Sequence, residues 1–509
     1  MKLLHLASPV SLLLLLSVPL ARAQDVAQGA ARQTVSIVPR VSLTETLTNN
    51  VALSKSATAQ SDQVTEISPG IHINIEGRRL KTYFDYSLDH VEYAQGTAAS
   101  HNQNALTTFS TLEAVENWAF IDFSGNISQQ TISAFGAQST NNTAVNANRT
   151  EVATYNLSPY VKGHFGNFAD YEARVSRSVS SNDSSAASNT ASTNSVVRIS
   201  NASAFRSLGW SADMSRQQTS YSAGRTTENN SYSLGLSYAI TPQVNVSVSA
   251  GQESNNYTSQ DKQNYNTSSV GVNWAPSTNT KLSALTGKRS FGNTHSLNFE
   301  HRTARTVWQY SDSKDILISP SQSGLGSVGN VYDLYFSQFA SLEPDPIARA
   351  TLVNNFLSAN GINPTAIVLS NFLTSGVSLQ RRQNLSFGLL GVRDTVTFFL
   401  SRTDSSRLDS ITNSFDSLSN GSSLAQNGFS VNYSHRLTPD YSLGVLLSRQ
   451  ATSSDTTTQE STLKSLNVNI TGKVGKKAAA SLGLRHVVSD SLTSPYTETA
   501  VTGNLNVQF

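Results

Sequence analysis

The chain has 509 residues, with 36 Lys and Arg against 34 Asp and Glu, no cysteine, 14% charged residues and 38% hydrophobic ones. So even a balance argues against nucleic acid or a broadly anionic surface as partner, and the missing cysteines exclude disulfide scaffolds and thiolate metal sites. A soluble chain of this length usually carries about 25% charged residues. Low charge with modest hydropathy is the average of a transmembrane barrel, whose apolar and polar side chains alternate; soluble Ser/Thr/Asn-rich β-helices share it.

In chain order, Met1 and Lys2 open a basic start, SLLLLLSVPL (11–20) is an apolar core, and Ala21-Arg22-Ala23 is a small-x-small cleavage site. Residues 1–23 therefore read as a signal peptide. A membrane anchor needs ~20 apolar residues, and Pro9, Pro19 and the early cleavage site oppose it. Residues 24–33 form a short N-terminal segment, and 34–509 form the main domain. No later apolar run is long enough for a spanning helix, so the mature chain is either soluble outside the cytoplasm or crosses the outer membrane with strands.

From Val35 onward period two recurs. Ala153, Tyr155, Leu157, Pro159 and Val161 alternate with polar residues, as do Ala169, Tyr171, Ala173 and Val175, and then Tyr232, Leu234, Leu236 and Tyr238. Units such as GLSYAITPQVNVSVSAG (from Gly235) and VNYSHRLTPDYSLGVLLS (from Val431) are strand, tight turn, strand, and longer Ser/Asn-rich segments separate them. Alternating short and long connections predict an all-β, up-and-down antiparallel transmembrane β-barrel of about 22 strands, within 18–26, with both termini on the periplasmic side. Trp118, Trp210, Trp274 and Trp308 each lie near a predicted short turn, as an interfacial aromatic girdle requires, although four scattered core residues would look the same.

The rhythm breaks over 311–375. PDPIARATLVNNFLSANG reads as a helix with Pro346 in its first turn, Ile347, Leu352 and Phe356 on one face and Gly361 after its end; VYDLYFSQFASL (331–342) is a second helical piece. This partly helical insert starts on the outer side. It either caps or enters the lumen, or lies as an ordered surface loop.

Gly324-Leu-Gly-Ser-Val-Gly329 matches a dinucleotide fingerprint but lacks the flanking strand and helix. The histidines show no metal-ligand spacing, and Ser and Asp are too numerous for a Ser or Asp paired with His to identify a hydrolase. No catalytic, cofactor or metal residue is predicted, and the chain reads as no enzyme. The polar parity instead offers lumen-lining candidates: Tyr83, Asp85, Asp89, Tyr93, Tyr160, Lys162, Asp170, Glu172, Arg174 and Arg198. The charges would set pore selectivity or, more mundanely, form salt bridges that stiffen the wall, and the three tyrosines would offer stacking surfaces. At the C-terminus VTGNLNVQF alternates again, so Val501, Leu505, Val507 and Phe509 face lipid on a closing strand and resemble the signal by which the outer-membrane assembly machinery recognises its clients.

Several long stretches carry a resemblance: VSLTETLTNNVAL (41–53), TEISPGIHI (65–73), LKTYFDYSLDHVEY (80–93), NQNALTTFSTLEAVENWAFIDFSGNISQQTISAFG (102–136), the YDLYFSQFASLEPDPIARATLVNNFLSANGINP insert and the LTSGVSLQRR after it. Together they make the chain similar, over nearly its whole mature length, to the PEP-CTERM system-associated outer-membrane β-barrel proteins. The resemblance implies a Gram-negative cell with an exosortase-type sorting system and a barrel that accompanies exopolysaccharide export. Implied partners are outer-membrane lipid, the assembly machinery, exopolysaccharide and its periplasmic export proteins, with no cofactor and no nucleic acid. Three function classes follow: a channel for exopolysaccharide, a structural or anchoring barrel without a pore, and an outer-membrane hydrolase.

Overall fold

The computed structural model describes residues 34–184, 188–205, 207–318, 329–360, 362, 364, 366–369, 372–373, 376–408, 418, 423–455 and 459–509. The predicted signal peptide 1–23, the segment 24–33, Gly361 and most of the 324–329 glycine motif lie outside these.

The first strands are β1 (Thr34–Thr48), β2 (Asp62–Glu76), β3 (Leu80–Tyr93), β4 (His101–Val115), β5 (Ala119–Thr131), β6 (Arg149–Phe165), β7 (Ala169–Asn182) and β8 (Thr190–Phe205). Next come β9 (Leu208–Tyr221), β10 (Thr227–Thr241), β11 (Val244–Asn255), β12 (Gln263–Ser277), β13 (Thr280–Arg289), β14 (Gly292–Arg302) and β15 (Thr306–Leu317). Helices α1 (Val331–Gln338) and α2 (Pro346–Asn360) follow, and then β16 (Ser378–Leu390), β17 (Asp394–Arg407), β18 (Ser423–Arg436), β19 (Tyr441–Ser454), β20 (Glu460–Lys473), β21 (Ala478–Ser491) and β22 (Tyr496–Gln508).

Every strand pairs antiparallel with the next. β22 returns to β1 from Arg40↔Gln508 to Thr48↔Ala500, closing a 22-stranded barrel without an edge. On β10 the outward Tyr232, Leu234, Leu236 and Tyr238 are exposed, while Ser231, Ser233, Gly235 and Ser237 point inward. Strand by strand, this builds an outer apolar belt around a polar interior.

Tight connections gather at one end, among them 166–168, 242–243 and 278–279, and the segments 132–148, 318–377 and 408–422 leave from the other. Left-handed residues make the short turns possible: Asn117 has φ 58° and Gly166 φ 57°, and Asn and Gly adopt that conformation most readily. By the usual asymmetry of such barrels, the short-turn end is periplasmic.

The insert is shorter than the sequence pattern predicts. β15 runs past Ser311 to Leu317, and β16 begins at Ser378, so the connection is 318–377 rather than 311–375. The alternation fails early because the outward side chains there are charged, although the ladder continues through Asp312↔Gln383 and Lys314↔Arg381.

Candidate functional site: a lumen holding a folded insert

The two helices of the insert begin at side-chain caps. Asn330 accepts the backbone N–H of Asp333 at 2.8 Å, and the Asp333 carboxylate accepts the Asn330 N–H at 3.2 Å, a reciprocal capping box for α1. At α2 the Asp345 carboxylate accepts the Ile347 N–H at 3.2 Å, and Pro346 occupies the first turn, where a missing N–H costs nothing. The fully buried positions of α2 are Ile347, Ala350, Val353 and Leu357, whereas Leu352 and Phe356, expected beside Ile347 on one face, are half-buried on its flank.

These helices pack against inward-facing wall residues, so the insert enters the lumen and is not a surface loop. Its core joins Val331, Leu334, Tyr335, Phe336 and Phe339 to Tyr83 of β3, Phe399 of β17 and Leu446 of β19. Phe336 stacks on Phe109 of β4 at 5.6 Å between centroids. The depth follows from the polar contacts. Tyr335 Oη lies 2.9 Å from Thr397 Oγ1 and accepts from Asn432 Nδ2 at 3.3 Å. Gln338 donates to Ser386 Oγ at 3.0 Å, Gln309 donates to the Gln338 carbonyl at 3.3 Å, and Ser434 donates to the Asn360 carbonyl at 2.8 Å. Gln309, Ser386, Thr397 and Ser434 all sit toward the short-turn ends of their strands. The segment thus starts at the long-loop rim, descends the lumen, and returns to the rim, where the Leu373 N–H bonds the Thr131 carbonyl at 3.1 Å. Burial pushes the Asp333 carboxyl up to about 6, against the opposing pull of the Asn330 and Gly329 N–H groups.

The long-loop mouth is covered as well. Segment 132–148 leaves β5 and crosses to the far side of the ring, where Ala134 and Phe135 pack with Leu418, Leu424 and Phe372. On its way it is bonded from β3, β22 and two neighbouring connections: Tyr93 Oη donates to the Thr143 carbonyl at 2.9 Å, Val145 N–H to the Val51 carbonyl at 2.9 Å, Thr493 Oγ1 to the Phe135 carbonyl at 3.0 Å, and Tyr496 Oη to the Gln138 carbonyl.

All ten residues of the predicted lumen set face inward: Tyr83, Asp85, Asp89 and Tyr93 on β3, Tyr160 and Lys162 on β6, Asp170, Glu172 and Arg174 on β7, and Arg198 on β8. They do not form one site. Asp85 is held by Arg40 through two bonds of 2.6 Å and by His72 at 3.2 Å. Arg174 bridges Asp122 at 2.9 Å and Glu172 at 3.0 Å, Arg198 binds Asp213 at 2.5 Å, and Asp170 binds His164 at 2.5 Å. Lys162 lies 4.6 Å over the Phe120 ring.

The tyrosines correct a sequence-based expectation, because none is a free stacking platform. Tyr83 is 2% exposed beneath α2 and is bonded by Asn354, Tyr93 lies under segment 132–148, and Tyr160 is covered by the Arg174 guanidinium 3.7 Å from its centroid. Parity tells which face a side chain takes, but not what covers it.

A different wall remains for polar contact, and the sequence reading did not single it out. β9–β13 present Ser211, Ser215, Ser231, Ser249 and Ser269 inward, with Ser215 2.7 Å from Ser231 and Ser249 2.7 Å from Ser269. Glycines complete it where a side chain cannot fit: a Cβ on Gly235 would lie 2.7 Å from Ser211 Oγ, and one on Gly271 2.7 Å from Ser247 Oγ. The detectable signal was the Ser/Gly bias of the polar parity over 209–287. Among the described residues no group of His, Asp or Glu gathers as a metal site.

Trp118, Trp210, Trp274 and Trp308 all lie on the outer face at the short-turn end, Trp118, Trp274 and Trp308 exposed and Trp210 half-buried. Trp118 Nε1 donates to Tyr171 Oη at 3.0 Å, Phe168 lies 5.5 Å from Trp210, and Phe387 lies 4.2 Å from Trp308. Val501, Leu505 and Val507 share the outward face of β22, and the exposed Phe509 donates its N–H to the Pro39 carbonyl at 2.9 Å.

A closed antiparallel barrel with an apolar outer belt and a polar interior is an outer-membrane protein, here one with a folded element inside its lumen. No protein-family model and no curated protein matches the sequence. Among solved structures, the chain is similar to the apoprotein form of the FrpB iron transporter from Neisseria meningitidis, at 9% identity and TM-score 0.50 over 93% of this chain and 81% of that one. The siderophore receptor PirA from Acinetobacter baumannii gives 8% identity and TM-score 0.48 over 94% and 81%. OccK3 (OpdO) from Pseudomonas aeruginosa gives 8% and 0.31 over 93% and 95%. At these identities the likeness concerns the fold.

Proposed function

We propose that the protein is a gated outer-membrane passage for a neutral, hydroxyl-rich polymer, in keeping with the exopolysaccharide-linked family that its sequence resembles. One observation carries this reading. The helices lean on β3, β4 and β15–β19, and across the lumen β9–β13 offer a wall of small hydroxyl side chains with exchangeable hydrogen bonds. A sugar chain would slide along such a wall by exchanging hydrogen bonds with its hydroxyls, and the insert and segment 132–148 would hold the path shut at rest. The four tryptophans would anchor the barrel at the periplasmic interface.

The intact barrel in planar bilayers should conduct weakly, and deletion of 329–360 together with 134–146 should give stable large-conductance channels. Deleting the gene should reduce surface polysaccharide. A barrel still silent without those two segments, in cells with unchanged polysaccharide, would instead favour a structural or anchoring barrel, the reading suggested by the covered mouth.

A further inference from the structure

On the outside of the barrel, the strands that carry the insert also carry a second feature. Just above the apolar belt, toward the long-loop end, outward positions hold Lys314 of β15, Arg381 of β16, Arg402 of β17, Arg449 of β19 and Lys464 of β20. Asp312 and Asp404 lie among these cations, and Glu460 of β20 and Asp490 of β21 face outward at the edge of the patch, beyond Lys464. Asp312 is occupied by Arg381 at 2.7 Å, His295 at 2.9 Å and Gln383 at 3.0 Å, and Asp404 is bound by Arg402 at 3.1 Å.

Arg449 and Lys464 are directly opposed across β19 and β20, both exposed, and among the described residues neither makes an ion pair. Like charges directly opposite on neighbouring strands repel, and an anion between them would remove the repulsion. Beside them a groove of about 380 Å³ has Tyr310, Leu385, Leu400 and Phe429 as its apolar floor and Arg402 and Arg449 at its rim. On β10–β12 the corresponding outward positions are the uncharged Asn230, Gln252 and Asn266.

We propose that this outward patch on β15–β20 binds the phosphate-bearing headgroup of a lipid in the outer leaflet. The acyl chains would lie on the Tyr310–Phe429 floor and the phosphate against Arg402, Arg449 and Lys464. A guanidinium pairs with phosphate through two parallel bonds, and a membrane-embedded apolar floor fits acyl chains but not a soluble anion.

The test is native mass spectrometry of the purified full-length barrel in neutral detergent, titrated separately with diphosphorylated lipid A, its dephosphorylated form, phosphatidylcholine and inorganic phosphate. Lipid A should be retained in preference to the other three. The variant Arg402→Gln/Arg449→Gln/Lys464→Gln should hold it roughly a hundredfold more weakly, from three lost interfacial cations. Arg177→Gln/Arg216→Gln, which removes outward cations from β7 and β9, should bind as the parent does. A heat-modifiable shift on a gel reports folding of each variant, and Arg449→Gln alone serves if the triple variant fails that check. Equal retention of the dephosphorylated lipid, unchanged binding by the folded variant, or saturation by inorganic phosphate alone would each overturn the assignment.

Discussion

At the scale of the residue, inward-facing charges and hydroxyls act mostly by satisfying one another. Glu498 shows this at the closing seam: it is 2% exposed, accepts Arg485 at 2.8 Å and Thr48 Oγ1 at 2.9 Å, and so links β1, β21 and β22. Arg485→Ala would leave a buried carboxylate without its cation, at a cost of about 3–5 kcal/mol, and the gel-shift temperature of the folded barrel should fall accordingly. Tyr335 plays a similar part inside the lumen. Tyr335→Phe keeps the ring packing but strips Thr397 and Asn432 of their partner, which should weaken docking of α1 by about 1–2 kcal/mol; faster amide exchange in Val331–Gln338, with the strands unaffected, is the readout. Alternation could place Tyr83, Asp85 and Arg174 on the inner face. Their partners Asn354, Arg40 and Asp122 are 271, 45 and 52 residues away in the chain, so those pairings exist only through the register of the closed sheet.

At the scale of the element, the insert is the part whose local signals and tertiary role are easiest to separate. Pro346 and the apolar spacing marked α2, and the Asn330/Asp333 pair marks the start of α1. Asn330→Ala should remove about 1 kcal/mol of helix stability, visible as increased proteolysis between β15 and β16. Asp333 adds a pH dependence. Its carboxyl is pushed up to about 6, so the docked helix binds a proton more readily than the undocked chain does. Docking should therefore strengthen as pH falls through about 6 and weaken above it, and Asp333→Asn should flatten the profile; amide exchange in α1 at several pH values checks both. The docking wall was also partly readable. Phe398-Phe399 and Leu446-Leu447 are consecutive apolar pairs that break period two, and in each pair one side chain, Phe399 or Leu446, turns inward under the helices. The early loss of alternation at Ser311 misled for a related reason, since charge above the belt ends the apolar pattern without ending the strand.

At the scale of the whole molecule, closure joins β1 to β22, and Phe509 belongs to that seam through its N–H bond to the Pro39 carbonyl. If Val501, Leu505, Val507 and Phe509 address the chain to the assembly machinery, deleting Phe509 should reduce the heat-modifiable barrel far more than total synthesised protein, measured on one immunoblot; an unchanged ratio would leave the ring as simply the end of a strand. The sequence alone determined the all-β class, a strand number of about 22 within 18–26, the up-and-down order and the outward face of the strands that alternate cleanly, because a barrel in lipid must alternate apolar and polar side chains with period two and such strands report that locally. Only the tertiary structure decided that the insert descends into the lumen, that segment 132–148 crosses the mouth, that the tyrosines are covered, and that cations from five strands converge on one outward patch. Each of these depends on which distant strands become neighbours across the ring or around it. That information lies in register and closure, and no local window of the sequence contains it.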